Sequence, residues 1–198
     1  MKKPLVRKKN RLFGRLFEVE AARQRILSVL FVSPNEEFSL TDLAREAGVS
    51  KSSASRAIGK LEPEGVVKII KRPIIWRIKA NRGGVGYLKE KITFNLSVIY
   101  RSELVEILAE KFNNPKAIVL FGSFRWGDDI ADSDIDIAVE TNEQVEIHEV
   151  KVAELEPLEK QLVRRISVHV FGREKCDLNV FNNIANGIVL AGFLEVKQ

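Results

Sequence analysis

The chain has 198 residues, 45% apolar and 30% charged, with 12 Gly, 6 Pro and one cysteine. That length suits one large domain or two small ones, and the apolar content excludes both wholesale disorder and a disulfide-stapled mini-scaffold. The formal net charge of +5 conceals an asymmetry, because residues 1–100 carry +12 and residues 101–198 carry −7. A basic half of this kind points to a polyanionic partner, and an acidic half to other work. No apolar run approaches the ~20 residues of a membrane helix, so no membrane partner is expected. The basic N-terminus lacks the apolar stretch and cleavage site of a signal peptide, and Cys176 has no internal disulfide partner. These features lead us to expect a cytoplasmic location.

In chain order, residues 1–17 form a basic arm with seven Lys or Arg and no acid. A first domain is expected over 18–80. It opens with a helix from about Glu18 to Phe31, on which Val19, Ala22, Ile26, Val29 and Leu30 keep helical spacing. Ser39 can cap a second helix, with Asp42 three residues on and Leu40, Leu43, Ala44 and Ala47 at i, i+3, i+4, i+7. Gly48 supplies the left-handed residue after it. A third helix starts at Ser50 and turns Ala54, Ala57, Ile58 and Leu61 inward. Two runs rich in β-branched residues, Val66–Ile70 and Ile74–Ile78, then read as a hairpin around Lys71-Arg72-Pro73. Trp76 reads as a core aromatic of its second strand.

A Gly-rich stretch, Asn81 to Gly86, marks a linker expected over 81–100, with a second domain over 101–198. That domain reads as a helix from about Ser102 to Phe112, a turn at Asn113-Asn114-Pro115, and strands at Ala117–Phe121 and Asp134–Val139. A long helix over Val145–Arg165, with Pro157 as an interruption, leads to a strand at Ile166–Phe171. A final helix runs from about Asp177 to Asn186 before a short closing segment. His148 and His169 are too few and too far apart in sequence for a zinc site.

The order helix, helix, tight Gly turn, helix, hairpin resembles a winged helix-turn-helix, above all at Leu43-Ala44-Arg45-Glu46-Ala47-Gly48-Val49-Ser50. The resemblance implies a third helix in the major groove and a wing along the backbone. Helical periodicity separately puts Lys51, Ser52, Ser53, Ser55, Arg56 and Lys60 on the face opposite the apolar residues. Cations and short hydroxyls suit phosphates and base edges, and no carboxylate intervenes before Glu62. Lys71 and Arg72 add charge at the wing tip. Winged helices also serve as protein–protein modules, but this face favours duplex DNA. One recognition helix reads few bases, so a homodimer is expected.

The stretch from Leu120 to Glu140 contains Gly122-Ser123, Gly127, and Asp134 and Asp136 after Ser133. It resembles the nucleotidyltransferases of the polymerase-beta superfamily, in particular their minimal forms, and the resemblance covers about residues 95–198. The implied fold class is α+β, a mixed sheet with helices behind the winged helix-turn-helix. Gly122 lets the backbone approach a phosphate, and Ser123 can donate its hydroxyl at a helix N-terminus. Arg125 is a further candidate phosphate contact. Asp134 and Asp136, at i and i+2 on a strand, share a face, and two adjacent carboxylates call for Mg²⁺ or Mn²⁺ with a nucleoside triphosphate. Asp128, Asp129 and Asp132 read as solvated loop acids. The family places a third carboxylate on the strand after the intervening helix, but Ile166–Phe171 contains none. Ser167 and His169 take that side, with His169 and the more distant Asp177 as candidate catalytic groups.

Three function classes remain open. One is a DNA-binding regulator whose second domain binds metal-nucleotide with little or no turnover. Another is an active nucleotidyltransferase that moves a nucleoside monophosphate onto a protein or small molecule. The third is an antitoxin-like partner of a small helical protein toxin.

Overall fold

The computed structural model describes residues 21–71 and 76–196. The chain divides into two compact units, Met1–Asn81 and Arg82–Gln198. The basic arm expected over 1–17 lies outside the described residues.

The first unit contains helices α1 (Ala21–Val32), α2 (Leu40–Glu46) and α3 (Lys51–Leu61), and strands β1 (Glu37–Phe38), β2 (Val67–Lys71) and β3 (Trp76–Ala80). The strands form an antiparallel sheet in the order β1-β3-β2. Both central helices are capped as their sequences require. The Ser39 hydroxyl oxygen accepts from the Asp42 amide, and that of Ser50 from the Ser53 amide, each at 3.1 Å. Removing either cap costs about 1 kcal/mol. Gly48 sits at φ +62°, the conformation that turns α2 into α3. Ile26, Leu27, Leu30, Phe31, Leu43, Ala54, Ala57, Ile58 and Leu61 are buried in this unit, and each large aliphatic side chain contributes about 1.5–3 kcal/mol by leaving water. Trp76 departs from its expected place in the core. It lies at the tip end of β3 and is 55% exposed, while Ile78 and Ala80 on the same strand face are buried.

The second unit contains helices α4 (Val85–Arg101), α5 (Leu104–Lys111), α6 (Gly122–Trp126), α7 (Glu156–Leu162) and α8 (Leu178–Ala185). Its strands are β4 (Ala117–Phe121), β5 (Ile135–Thr141), β6 (His148–Val150), β7 (Ile166–Gly172) and β8 (Ile188–Gly192). They form one sheet in the order β6-β7-β5-β4-β8, in which only β5 and β7 run parallel. One sheet face carries Ile118, Leu120, Ile135, Ile137, Val139, Ile166, Val168 and Val170 against Ile99, Leu104, Leu108, Leu155 and Leu158. The other carries Ala117, Val119, Ala138 and Phe171 against Ile184 of α8.

Two expectations fail here for identifiable reasons. The 81–100 segment is not a linker: Gly84 caps the 17-residue α4, which buries Tyr87, Lys91, Asn95 and Ile99. Lys and Asn in that stripe hide it from a hydrophobic count. The long helix over Val145–Arg165 is replaced by β6, a short 3₁₀ turn and α7. Residues 148–150 become an edge strand by pairing with β7, and Pro157 occupies the first turn of α7, where its missing N–H is no loss.

Candidate functional site

The site of the second unit begins with the strand–turn–helix β4–Gly122–α6. Gly122 takes φ +69°, and a β-carbon there would run into the Asp136 carboxylate, 3.0 Å from its Cγ. Glycine at 122 therefore permits the aspartate at 136 to lie against the turn. Phe121 and Asp136 are direct partners across β4 and β5, and Asp136 and Ser167 are partners across β5 and β7. Asp134 ends the preceding loop one residue before β5, and its Oδ2 accepts a hydrogen bond from Ser167 Oγ at 3.2 Å. His169 Nε2 stands 4.0 Å from Asp136 Oδ1, and its ring packs edge-on to Phe121 at 5.5 Å. The structure thus gathers Gly122, Asp134, Asp136, Ser167 and His169 at one end of a single sheet face.

Burial holds the Asp136 carboxyl above its ordinary pKa, with His169 and Arg165 opposing, and Asp134 and Glu149 adding to the effect. Neighbouring carboxylates repel one another, a condition that a nearby cation relieves, whether a guanidinium or a divalent ion. Among the described residues no group of three or more His, Cys, Asp or Glu side chains is arranged to hold a metal ion. The donor set fits an ion held by Asp134 and Asp136 and completed by phosphate oxygens.

Sequence reasoning missed the groups around the pair. Glu149 on β6 is the direct partner of His169 on β7, so its side chain shares the site's face. The Arg165 guanidinium donates to Glu149 and lies 3.6 Å from Asp134 Oδ2. Glu149 and Arg165 also line an open cleft of about 860 Å³ with Glu156, Glu159 and Lys160, which neither Asp134 nor Asp136 lines. No local pattern pointed to Glu149, because its strand is three residues long and is defined by its pairing with β7.

Behind the pair lies a buried polar network that corrects the reading of Asp129 as a solvated acid. Its carboxylate is fully enclosed and receives Lys91 Nζ at 2.8 Å, Asn95 Nδ2 at 2.8 Å and Arg164 Nη2 at 3.1 Å. Asn95 Nδ2 also lies 2.7 Å from the Phe124 carbonyl of α6, and Arg164 Nη1 donates to the Ser133 carbonyl at 2.8 Å. One network therefore ties α4, α6 and the loop that delivers Asp134. Burial lowers the Lys91 pKa, with the bond to Asp129 opposing. Asp128 and Asp132 are exposed, as expected of loop acids.

Two candidates are placed elsewhere. Arg125 stacks on the Trp126 ring at 3.5 Å; two residues from Ser123 on a helix, it lies on roughly the opposite side. The Asp177 carboxylate caps α8, accepting from the amides of Asn179 at 2.9 Å and Val180 at 3.3 Å.

In the first unit Lys51, Ser52, Ser55, Arg56 and Lys60 are exposed along α3, and Ser53 is half-buried because it belongs to the Ser50 cap. Arg72 and the Lys71 side chain lie outside the described residues. None of the described helices is long and apolar enough to cross a membrane.

Residues 25–68 match the IclR helix-turn-helix domain, and residues 101–190 match the Nucleotidyltransferase domain. Among solved structures, a MarR family transcriptional regulator from Silicibacter pomeroyi DSS-3 is similar at 16% identity and a TM-score of 0.37, covering 52% of this chain and 72% of its own. Rv0081 of M. tuberculosis is similar at 24% identity and a TM-score of 0.32, over 55% of this chain and 97% of its own. The heme sensor protein PefR from Streptococcus agalactiae is similar at 16% identity and a TM-score of 0.32, over 56% and 95%. Curated proteins contain no match. In chain order, a segment matching a helix-turn-helix domain is thus followed by one matching a nucleotidyltransferase domain.

Proposed function

From a helix-turn-helix domain joined in one chain to a nucleotidyltransferase domain, we propose a DNA-binding regulator. Its second domain binds a divalent metal with a nucleoside triphosphate and turns it over slowly or not at all. The observation that carries this reading is the pairing of Asp136 with Ser167. Two carboxylates stand on the face where a metal-nucleotide belongs, and the neighbouring parallel strand offers them a hydroxyl and an imidazole in place of an acid.

Asp134 and Asp136 would hold Mg²⁺ or Mn²⁺, with Ser123 at the phosphate end of the turn. The ion would supply charge neutralisation to a triphosphate held beside these two carboxylates. Asp136 is pressed against Gly122 and carries the charge of the pair into the site. Ser167 is a poor base, and its hydroxyl is already committed to Asp134. His169 beside Asp136 is the remaining candidate to take an acceptor's proton. On the DNA side, the exposed cations of α3 contact phosphates and the short hydroxyls lie near base edges.

A second reading, transfer of a nucleoside monophosphate to a protein or small molecule, is favoured by the close approach of Asp136 to Gly122. Calorimetric titration of the full chain with Mg²⁺ and each nucleoside triphosphate, followed by a label-transfer assay, separates the two. Binding without transfer supports the regulator; robust transfer supports the enzyme. Absence of binding at millimolar nucleotide overturns both.

A further inference from the structure

The acidic site has a cation of its own. Arg165 sits at the exposed start of β7, one residue before Ile166, and its guanidinium spans Asp134 on one side and Glu149 on the other. Glu149 reaches this position because β6 adds antiparallel to the edge of β7, with Glu149 opposite His169. The adjacent residue, Arg164, points to the other side of the chain and is fixed in the buried network with Asp129 and the Ser133 carbonyl. Neighbouring arginines thus have divided roles: one is built in, and the other is surface-exposed and held only by carboxylates.

We propose that Arg165 and Glu149 form a cation-exchange latch on the Asp134–Asp136 pair. Glu149, delivered from the edge strand, supplies the further negative charge that supports the pair, and the Arg165 guanidinium stands in for the divalent ion until the ion displaces it. This rests on the metal reading above and adds to it the identity of the groups that set the site's affinity.

Three features support the latch. Strand β7 brings no acid to the face it shares with Asp136, so another element must supply any further charge, and among residues whose charge acts on Asp136 the carboxylates are Asp134 and Glu149. Arg165 is 60% exposed and Glu149 41% exposed, so their ion pair is weak and the guanidinium can leave without uncovering a buried charge. It also has room to move, because Arg165 borders an open cleft whose Glu156 and Glu159 carboxylates are held by Lys151 and by the Ile166 amide. A compact divalent ion draws carboxylate oxygens closer than a guanidinium does, which favours the exchange once phosphate oxygens add their charge.

The test is Mn²⁺ binding to the full chain, read by the loss of free-ion electron paramagnetic resonance signal, with and without a non-hydrolysable nucleoside triphosphate. Glu149→Gln should weaken Mn²⁺ binding by about tenfold, the scale of losing one supporting carboxylate. Arg165→Gln should tighten it by about threefold or more, because the competing cation is gone. Lys160→Gln makes the same charge change on the same cleft away from the bridge and should leave binding within about twofold. If Asp134→Asn abolishes binding while Glu149→Gln matches the unmutated chain, the latch is overturned and the metal site stands. Equal effects of Arg165→Gln and Lys160→Gln also overturn it, since the change is then general electrostatics. If the unmutated chain binds no Mn²⁺ with nucleotide, the metal reading fails and the latch with it. Thermal melts of all variants check that these side-chain changes leave the fold in place.

Discussion

Lys91 Nζ lies 2.8 Å from Asp129 Oδ2 with both side chains closed to solvent. One belongs to the first helix of the second unit and the other to the loop that ends at Asp134, so the pair anchors a segment of the site to a rigid element. An ion pair in such a place is retained at a desolvation cost and becomes strongly destabilising when one partner is lost. Lys91→Met should therefore destabilise the domain by about 3–5 kcal/mol in urea titrations. The double change Lys91→Met with Asp129→Leu should recover part of that loss. If the single variant unfolds at the midpoint of the unmutated chain, the network has no structural weight.

Asp134→Asn should abolish metal-dependent nucleotide binding and leave the melting temperature within a few degrees, because Asp134 is half-buried and its contacts are with Ser167 and Arg165. Calorimetry with Mg²⁺ and nucleoside triphosphate checks it. Retained affinity would place the metal elsewhere.

Asp136 carries a pH signature. Its pKa is raised by burial above the unfolded value, so the folded state binds the proton more tightly than the unfolded chain does. Its contribution to stability is then present in full below the unfolded value of 3.8 and is lost as pH rises through the folded pKa. Metal competes with that proton, so metal-nucleotide affinity should begin to fall, on acidification, above the ordinary carboxylate range. Asp136→Asn should remove binding yet stabilise the metal-free domain at neutral pH by about 1 kcal/mol. A destabilised Asp136→Asn variant would contradict the burial argument.

On the DNA face, replacing Arg56 and Lys60 with Ala should weaken binding to duplex DNA. Each lost phosphate contact should lower the slope of log affinity against log salt by about 0.9. Fluorescence anisotropy across a salt series measures both. An unchanged affinity and slope would remove α3 from the interface, and a monomer sedimenting on a palindromic site would contradict the expected dimer.

Turnover gives the last prediction. Asp177→Asn should leave any label transfer unchanged, since Asp177 caps α8 and asparagine caps a helix as well as aspartate does. Transfer that collapses in this variant would make Asp177 the missing acid.

Much of this architecture is visible in the sequence where local chemistry and tertiary packing agree. Ser39 and Ser50 cap, Gly48 turns, and Ala117–Phe121 is a strand because five apolar residues follow a turn. The carboxylates at 134 and 136 were legible because spacing by two puts both on one face in any strand. What escaped was nonlocal. Lys91, Asn95 and Asp129 look solvent-facing until residues 38 and 34 positions apart meet and satisfy one another. Glu149 looked like part of a helix, since its strand acquires meaning only from pairing with β7. Trp76 was read inward from alternation alone, which does not reveal where a hairpin outruns its core.

The contact between Gly122 and Asp136 also gives the site a voice in a spectrum. Glycine amides resonate in a sparsely populated region of a nitrogen–proton correlation map, and this glycine turns the open side of its α-carbon toward the carboxylate proposed to bind the ion. Its peak should move as Asp136 takes up a proton and move again, along a different path, as Mg²⁺ enters. The occupancy of a spectroscopically silent ion can thus be followed at one backbone resonance, without a label, a nucleotide analogue or any measure of turnover.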